Sequence, residues 1–330
     1  MKGKGDMGSI RKLIILIGVL AVPAGALAQG AADGYPARPV LVVTPFAPGG
    51  PTDSEGRLYT QRLTESMGHP FVLEAKPGAG TTIGLGHVVK AAPDGYTLLL
   101  MTASLSVVPL LHKDLPYDLY ASLAPISLMS KRNAVLAVHP SLPIRNMVEY
   151  VAYAKTNPGK LNYSTVGAGG GQHLTGVWLE SVSNTKLTMV HYKGTGAAMP
   201  DLLAGRAHLT FLTFTTALPL AKAGKVRIIA QANLERVPSM PDVPTLVEAG
   251  YEGFEYSSWL GMLAPAKTPP AIINKLNSEL VKIARSPDLI KRTAAEIRLI
   301  GSTPEEFRRY ILTEHERWKK LVRENNIQFE

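Results

Sequence analysis

The feature that most narrows the fold is an alternation of short β-branched apolar runs with amphipathic segments, sustained along most of the chain. Val40–Pro45 reads as a strand, Thr52–Met67 as a helix and Phe71–Glu74 as a second strand. Leu98–Met101 lacks the apolar/polar alternation of a half-exposed strand, so burial on both faces is expected, as in a parallel sheet. Another strand runs from Asn133 to Val138 and ends at His139-Pro140. The helix that follows, from Asn146 to Lys155, must stop before Asn157-Pro158-Gly159, which joins a fixed φ to a permissive one. Leu161–Thr165, Leu187–Val190, Leu209–Phe214 and Val226–Ala230 read as strands, with helices at Gln172–Val182 and Ala197–Ala204. The order is α/β throughout.

Within this order one unit recurs. Val40–Pro45 leads through Phe46-Ala47-Pro48-Gly49-Gly50 into a helix, and Leu161–Thr165 leads through Gly167-Ala168-Gly169-Gly170-Gly171 into another. A glycine turn before a helix start lets backbone N–H groups point together at a carboxylate or phosphate. Thr52 and Glu55 have the spacing of a capping box, and Asp53 in the first turn is expected to complement the helix end without touching an anion. Ser164, Thr165, Gln172 and His173 surround the second turn, His191-Tyr192-Lys193 precede a further turn, and Thr102, Ser104 and Ser106 follow a strand end. Such ends are where open α/β sheets hold small molecules. In the C-terminal third, Thr268 can cap a helix with Pro269 at its first position and an apolar stripe of Ile272, Ile273, Leu276, Leu280 and Ile283. Thr303, Pro304 and Glu306 form a second capping box, and Phe307, Ile311, His315, Trp318 and Val322 read as the packing face of that last helix.

Lys2, Lys4, Arg11 and Lys12 precede an apolar run, Leu13–Ala24, and Ala26-Leu27-Ala28 follows with small residues. Residues 1–28 therefore read as a secretory signal peptide, with Met7 as an alternative start. The run falls short of the about 20 apolar residues that a spanning helix needs. Removal after Ala28 leaves 31 basic and 25 acidic side chains, a net charge of +6 in place of +9. That attracts anions in general, but there is no long basic tract with interleaved aromatics, so nucleic acid is not an expected partner. The chain has no cysteine, which excludes thiolate metal sites, cysteine nucleophiles and lipid attachment through cysteine. No G-x-S-x-G elbow or H-E-x-x-H pair is present, and the histidines are scattered. Gly167–Gly171 lacks the Gly-Lys-Ser/Thr ending of a phosphate-binding loop. No catalytic residue, metal or cofactor is expected.

At these loops the sequence resembles the Bug-type extracytoplasmic solute-binding proteins of the tripartite tricarboxylate transporter family. The likeness runs through Pro45–Asp53, Lys76-Pro77-Gly78-Ala79-Gly80, Pro93-Asp94-Gly95-Tyr96, Leu115-Pro116-Tyr117-Asp118, Asn157–Tyr163, His191–Gly194, Pro241–Thr245 with Glu248-Ala249-Gly250, and Trp259–Pro265. It implies a type II periplasmic-binding-protein architecture, with two α/β lobes joined by crossing segments near residues 129–138 and 255–264 and a ligand cleft between them. Residues 29–130 and 255–330 would form the first lobe and residues 131–254 the second. It also implies a monomeric periplasmic receptor for a small carboxylate that delivers its ligand to integral membrane transporter subunits. The candidate ligand-binding set is Ala47, Pro48, Gly49, Gly50 and Thr52 on the first turn, with Thr102 and Ser104. From the second lobe come Ser164, Thr165, Gly169, Gly170, Gln172, His173, Tyr192, Phe214 and Thr215. Where family members often carry Ser, this chain has Val166 and Gly170. Where they often carry Asp, it has His208 and Leu212. If position 212 faces the cleft, the missing acid disfavours an amino-acid ligand, whose ammonium needs an anionic partner. An aliphatic or aromatic mono- or dicarboxylate is expected instead, in a partly apolar pocket of Phe211 and Phe214 with hydroxyl edges from Thr213, Thr215 and Thr216. A sensory receptor would use the same fold, and a secreted hydrolase is the remaining alternative.

Overall fold

The computed structural model describes residues 33–112, 114–167, 170–192, 195–293 and 297–324; residues 1–28, read from the sequence as a signal peptide, and Gly169 lie outside them. Strands β1 (Val40–Thr44), β2 (Phe71–Ala75) and β3 (Thr97–Thr102) run parallel, with β1 central. Helices α1 (Pro51–Met67) and α2 (Thr82–Val89) make the crossovers, and a single turn, α3 (Val108–Leu111), follows β3. All four residues from Leu98 to Met101 are fully buried, yet the sheet is mixed: β3 is parallel to β1 but antiparallel to β9 (Ser257–Pro265). Burial on two faces reports the helices on either side, not strand direction.

The frame of the molecule is β4, one strand from Leu123 to Val138. Residues 123–133 pair with β9, and residues 134–138 pair with β7 (Leu209–Thr213). The second lobe continues from β7 to β5 (Asn162–Thr165) and β6 (Thr188–His191), with β8 (Arg227–Gln231) on the other side of β4. Its helices are α4 (Met147–Thr156), α5 (Gly171–Ser183), α6 (Thr195–Leu203) and α7 (Phe214–Lys222). After β9 come α8 (Pro270–Ala284), α9 (Pro287–Thr293), β10 (Ile297–Leu299), which pairs with β4, and α10 (Pro304–Glu324).

Apolar cores lie on both faces of each sheet portion. In the first lobe Val40, Val42, Tyr59, Leu98, Leu276 and Leu280 pack under α1 and α8, and Val43, Leu99, Trp259 and Phe307 pack under α2 and α10. In the second, Leu136, Tyr150, Tyr163 and Phe211 fill one face and Val135, Leu202 and Phe214 the other. A smaller cluster joins the lobes: Leu174 of α5 meets Val107, Trp318 and Leu321, and the Trp178 ring lies edge-on to Trp318 at 5.9 Å. An aromatic of this size buries enough area to contribute roughly 4–6 kcal/mol before ordering costs.

Local signals in the sequence were obeyed unevenly. The Thr303 capping box forms: Thr303 N–H donates to Glu306 Oε2 at 2.8 Å, and Glu306 N–H donates to Thr303 Oγ1 at 3.2 Å. The Thr268 cap does not; α8 starts at Pro270 with Pro269 in the cap position, and Thr268 Oγ1 is buried without a partner. The Thr52–Glu55 box also fails, because Glu55 turns inward to Ser130 and Arg132 and leaves Gly50 as an uncapped start to α1. Tertiary pairing of a buried carboxylate outweighs the roughly 1 kcal/mol of a cap.

Helix α10 docks on β9 at Gly261, where a Cβ would stand 2.1 Å from Phe307 Cζ. Gly261→Ala is therefore expected to lower stability by about 1–3 kcal/mol through overpacking. A fall in the denaturant midpoint with unchanged slope would show this, and an unmoved midpoint would mean that the Phe307 ring swings aside without loss.

Candidate functional site

The first glycine turn is built by short-range bonds. Gly49 has φ +85°, open to glycine without strain, and its N–H donates to Asp53 Oδ2 at 3.2 Å. Asp53 is gripped in turn by Arg57 Nε and Nη2 at 3.0 and 3.1 Å; the Arg57 bonds, then the Gly49 N–H, hold its carboxyl below the usual range. Asp53 is thus a structural acid. Ala47, Pro48 and Gly49 are exposed, Gly50 and Thr52 partly so, and no side chain caps α1. Thr102 and Ser104 bond to each other through their hydroxyls at 3.1 Å.

In the second turn, Thr165 Oγ1 contacts His191 Nδ1 at 2.7 Å and accepts from Gly167 N–H at 3.3 Å. Gly167 has φ +139°, and Gly170 starts α5 without a side-chain cap. His173 lies edge-on to His191, ring centres 4.7 Å apart. Burial, and then the neighbouring imidazole, push its pKa down to about 4, so His173 is neutral at pH 7. Although Thr165 and His191 pair as a hydroxyl and a base, Thr165 is fully buried and out of reach of a substrate carbonyl. Gln172 turns away from the turn: its Nε2 donates to Phe211 O and, at 3.2 Å, to Thr210 Oγ1, leaving Oε1 buried without a partner.

Other candidates have structural occupations. The Tyr192 hydroxyl donates to Asp201 Oδ2 at 2.7 Å, and Asp201 also holds Arg206. Phe214 is 1% exposed and packs inside the apolar core with Val135 and Ala217. Ser164 Oγ is buried without a partner and lines a narrow pocket with Gln172, Thr210 and Leu212. Leu212 is buried against the helices of the second lobe. His208 Nδ1 accepts from Asn162 N–H at 2.8 Å, tying β5 to the start of β7.

Between the lobes lies a cavity of about 270 Å³. Ser54, Glu55 and Leu58 of α1 form one wall, Thr213, Thr215 and Thr216 at the start of α7 the facing wall, and Arg132 of β4 and Ile297 of β10 the remainder. It begins one helical turn from the first glycine turn, since Ser54 Oγ donates to Gly50 O at 3.3 Å. Thr213 Oγ1 bonds to Thr215 Oγ1 at 3.3 Å and to Thr216 Oγ1 at 2.9 Å. Glu55, its side chain 2% exposed, accepts from Arg132 Nη2 at 2.5 Å and from the Ser130 hydroxyl. Burial raises the Glu55 pKa, while the Arg132 charge and both hydrogen bonds oppose that rise. Removing one partner from such a pair costs roughly 3–5 kcal/mol.

Sequence reading reached the threonines but missed Glu55 and Arg132 as cavity residues. The available signal was the two-residue spacing of Ser130 and Arg132, which puts both on one face of a strand otherwise rich in apolar residues. Among the described residues no group of three His, Asp or Glu converges as metal ligands would.

The geometry has close counterparts. The periplasmic binding protein BugD is 35% identical to this chain, with 90% of this chain and all of BugD covered at TM-score 0.77. Rpa4515 of R. palustris, solved with adipate, is 30% identical, with 90% of this chain and all of that one covered at TM-score 0.80. MatC from Rhodopseudomonas palustris, solved with malate, is 31% identical, with 87% and 100% covered at TM-score 0.74. Residues 56–327 match the model of the tripartite tricarboxylate transporter family receptor. The chain belongs to that family of solute-binding receptors, whose architecture is the two-lobed α/β periplasmic-binding fold.

Proposed function

We propose that this protein captures a small carboxylate between its lobes in the periplasm and delivers it to integral membrane subunits of a tripartite transporter. The observation that carries this reading is the cavity of about 270 Å³ walled by α1 on one side and the start of α7 on the other. Helix starts of this kind favour negative charge, and an occupant touching both walls favours the shut arrangement of the lobes. The adipate of Rpa4515 and the malate of MatC support a carboxylate ligand. We assign residues 29–130 and 255–330 to one lobe and residues 131–254 to the other, with residues 1–28 as an export signal. The ligand is held by Ala47–Gly50 and Thr52, by Gly169, Gly170 and His173, and by Thr215. Thr102, Ser104, Thr165, Gln172 and Tyr192 hold the surrounding loops, while Ser164 and Phe214 shape the wall from beneath.

Titration of the purified protein with aliphatic and aromatic carboxylates and matched amino acids, followed by calorimetry, is expected to give saturable binding to a carboxylate that mass spectrometry recovers unchanged. Tighter binding of amino acids, or conversion of the ligand, would reject the reading. Gly49→Val forces a β-branched residue into φ +85° and is expected to weaken binding at least about tenfold with the fold retained by circular dichroism. Equal affinity in a folded variant would remove the first turn from the site. Because Trp178 and Trp318 meet across the lobes, saturation with ligand is expected to change tryptophan emission, and Trp178→Phe to abolish most of that change. An emission spectrum indifferent to bound ligand would mean that the lobes do not move.

A further inference from the structure

We infer that Glu55 makes the hinge end of the cleft a selective subsite that takes the far end of the ligand as a neutral hydrogen-bonding group, such as a hydroxyl, in preference to a second carboxylate. This rests on the receptor reading above and narrows it to a monocarboxylate with a polar, uncharged tail.

Arg132 is the cation that would attract a second carboxylate in this cavity, and its guanidinium already serves Glu55 at 2.5 Å. Both side chains line the same cavity of about 270 Å³ as Thr213, Thr215 and Thr216. A carboxylate entering there gains attraction to Arg132 and meets repulsion from Glu55 of similar size, because the two charges are adjacent. To first order the Coulomb contributions cancel, and the cost of stripping water from the incoming anion is left unopposed. The uncapped start of α7 attracts an anion, but such a helix end changes affinity by only about twofold to fivefold. That is too little to offset the desolvation of a second carboxylate.

Hydrogen-bond accounting points the same way. The two bonds that Thr213 makes to Thr215 and Thr216 consume two of the three hydroxyl hydrogens. Ser54 spends its own on Gly50 O. Each hydroxyl oxygen can accept twice, so these side chains offer more acceptors than donors. A carboxylate, which only accepts, is the poorer match. A hydroxyl both donates and accepts, and it carries no charge for Glu55 to repel.

The test uses chain-matched trios, hexanoate with 6-hydroxyhexanoate and adipate, and butanoate with 4-hydroxybutanoate and succinate, titrated calorimetrically into the full chain. In the wild type the hydroxy acid is expected to bind about tenfold more tightly than either companion. Glu55→Gln keeps the shape and the Ser130 contact while freeing the Arg132 charge, and is expected to raise diacid affinity at least about tenfold. Thr216→Val, which removes one hydroxyl without touching the ion pair, is expected to erase most of the hydroxy acid's advantage over the plain monocarboxylate. Diacid binding equal to or tighter than hydroxy-acid binding in the wild type would overturn the inference and leave the receptor reading intact. So would an unchanged diacid-to-hydroxy-acid ratio in folded Glu55→Gln, or an unchanged hydroxy-acid advantage in Thr216→Val. Absence of binding by every member of both trios would overturn the inference, while the carboxylate reading itself stands or falls on the wider titration of aliphatic and aromatic acids described above.

Discussion

Everything in this molecule hangs from the hydrogen-bonding demand of one strand. Every peptide group of β4 from Leu123 to Val138 needs partners, and no single sheet supplies them along the whole length. The first part is satisfied by β9, and the last five residues, from Ala134, by β7 and β8. The change of partner near Asn133 is where one lobe gives way to the other. The strand itself runs through that point without a break.

Polar and apolar contacts divide the work on either side of this strand. On one side Glu55 ties α1, the helix that opens with the first glycine turn, to Ser130 and Arg132 on the crossing strand itself. Elsewhere Leu174 and Trp178 of α5, the helix that opens with the second turn, rest against Val107 and the C-terminal helix at Trp318 and Leu321. Each glycine turn is thus anchored by the helix that follows it, one to β4 and one to the C-terminal helix of the other lobe. A population shift between open and shut lobes needs only a ligand that interacts better with the shut one. Apolar burial at the α5–α10 contact holds the two lobes together in this structure.

How far the chain could be read in advance depended on the range of the physics. The alternating pattern placed β1–β3 and β5–β8 within a few residues, because burial periodicity is local. It began β4 at Asn133, ten residues after its true start at Leu123, and gave no strand at β9 or β10. The Thr303 box was legible for the same reason, and the Thr52–Glu55 box was misread, because its acid is claimed by Arg132, more than seventy residues away. Leu98–Met101 was correctly expected to be buried on both faces, while the antiparallel pairing with β9 was not visible. Phe214 looked like a pocket aromatic from its threonine neighbours and instead completes a core.

Sequence alone was enough to establish the α/β class, the two glycine turns each followed by a helix, and the absence of cysteine chemistry, since these follow from composition and short spacings. Only the tertiary structure decided that the threonines at the end of β7 and the start of α7 line one cavity with Ser54 and Glu55, that Tyr192 is bound to Asp201, and that a buried ion pair ties α1 to β4. The reason is that a side chain's partner across a fold depends on strand order and register. Those are set by the packing of the whole chain, not by any window of it.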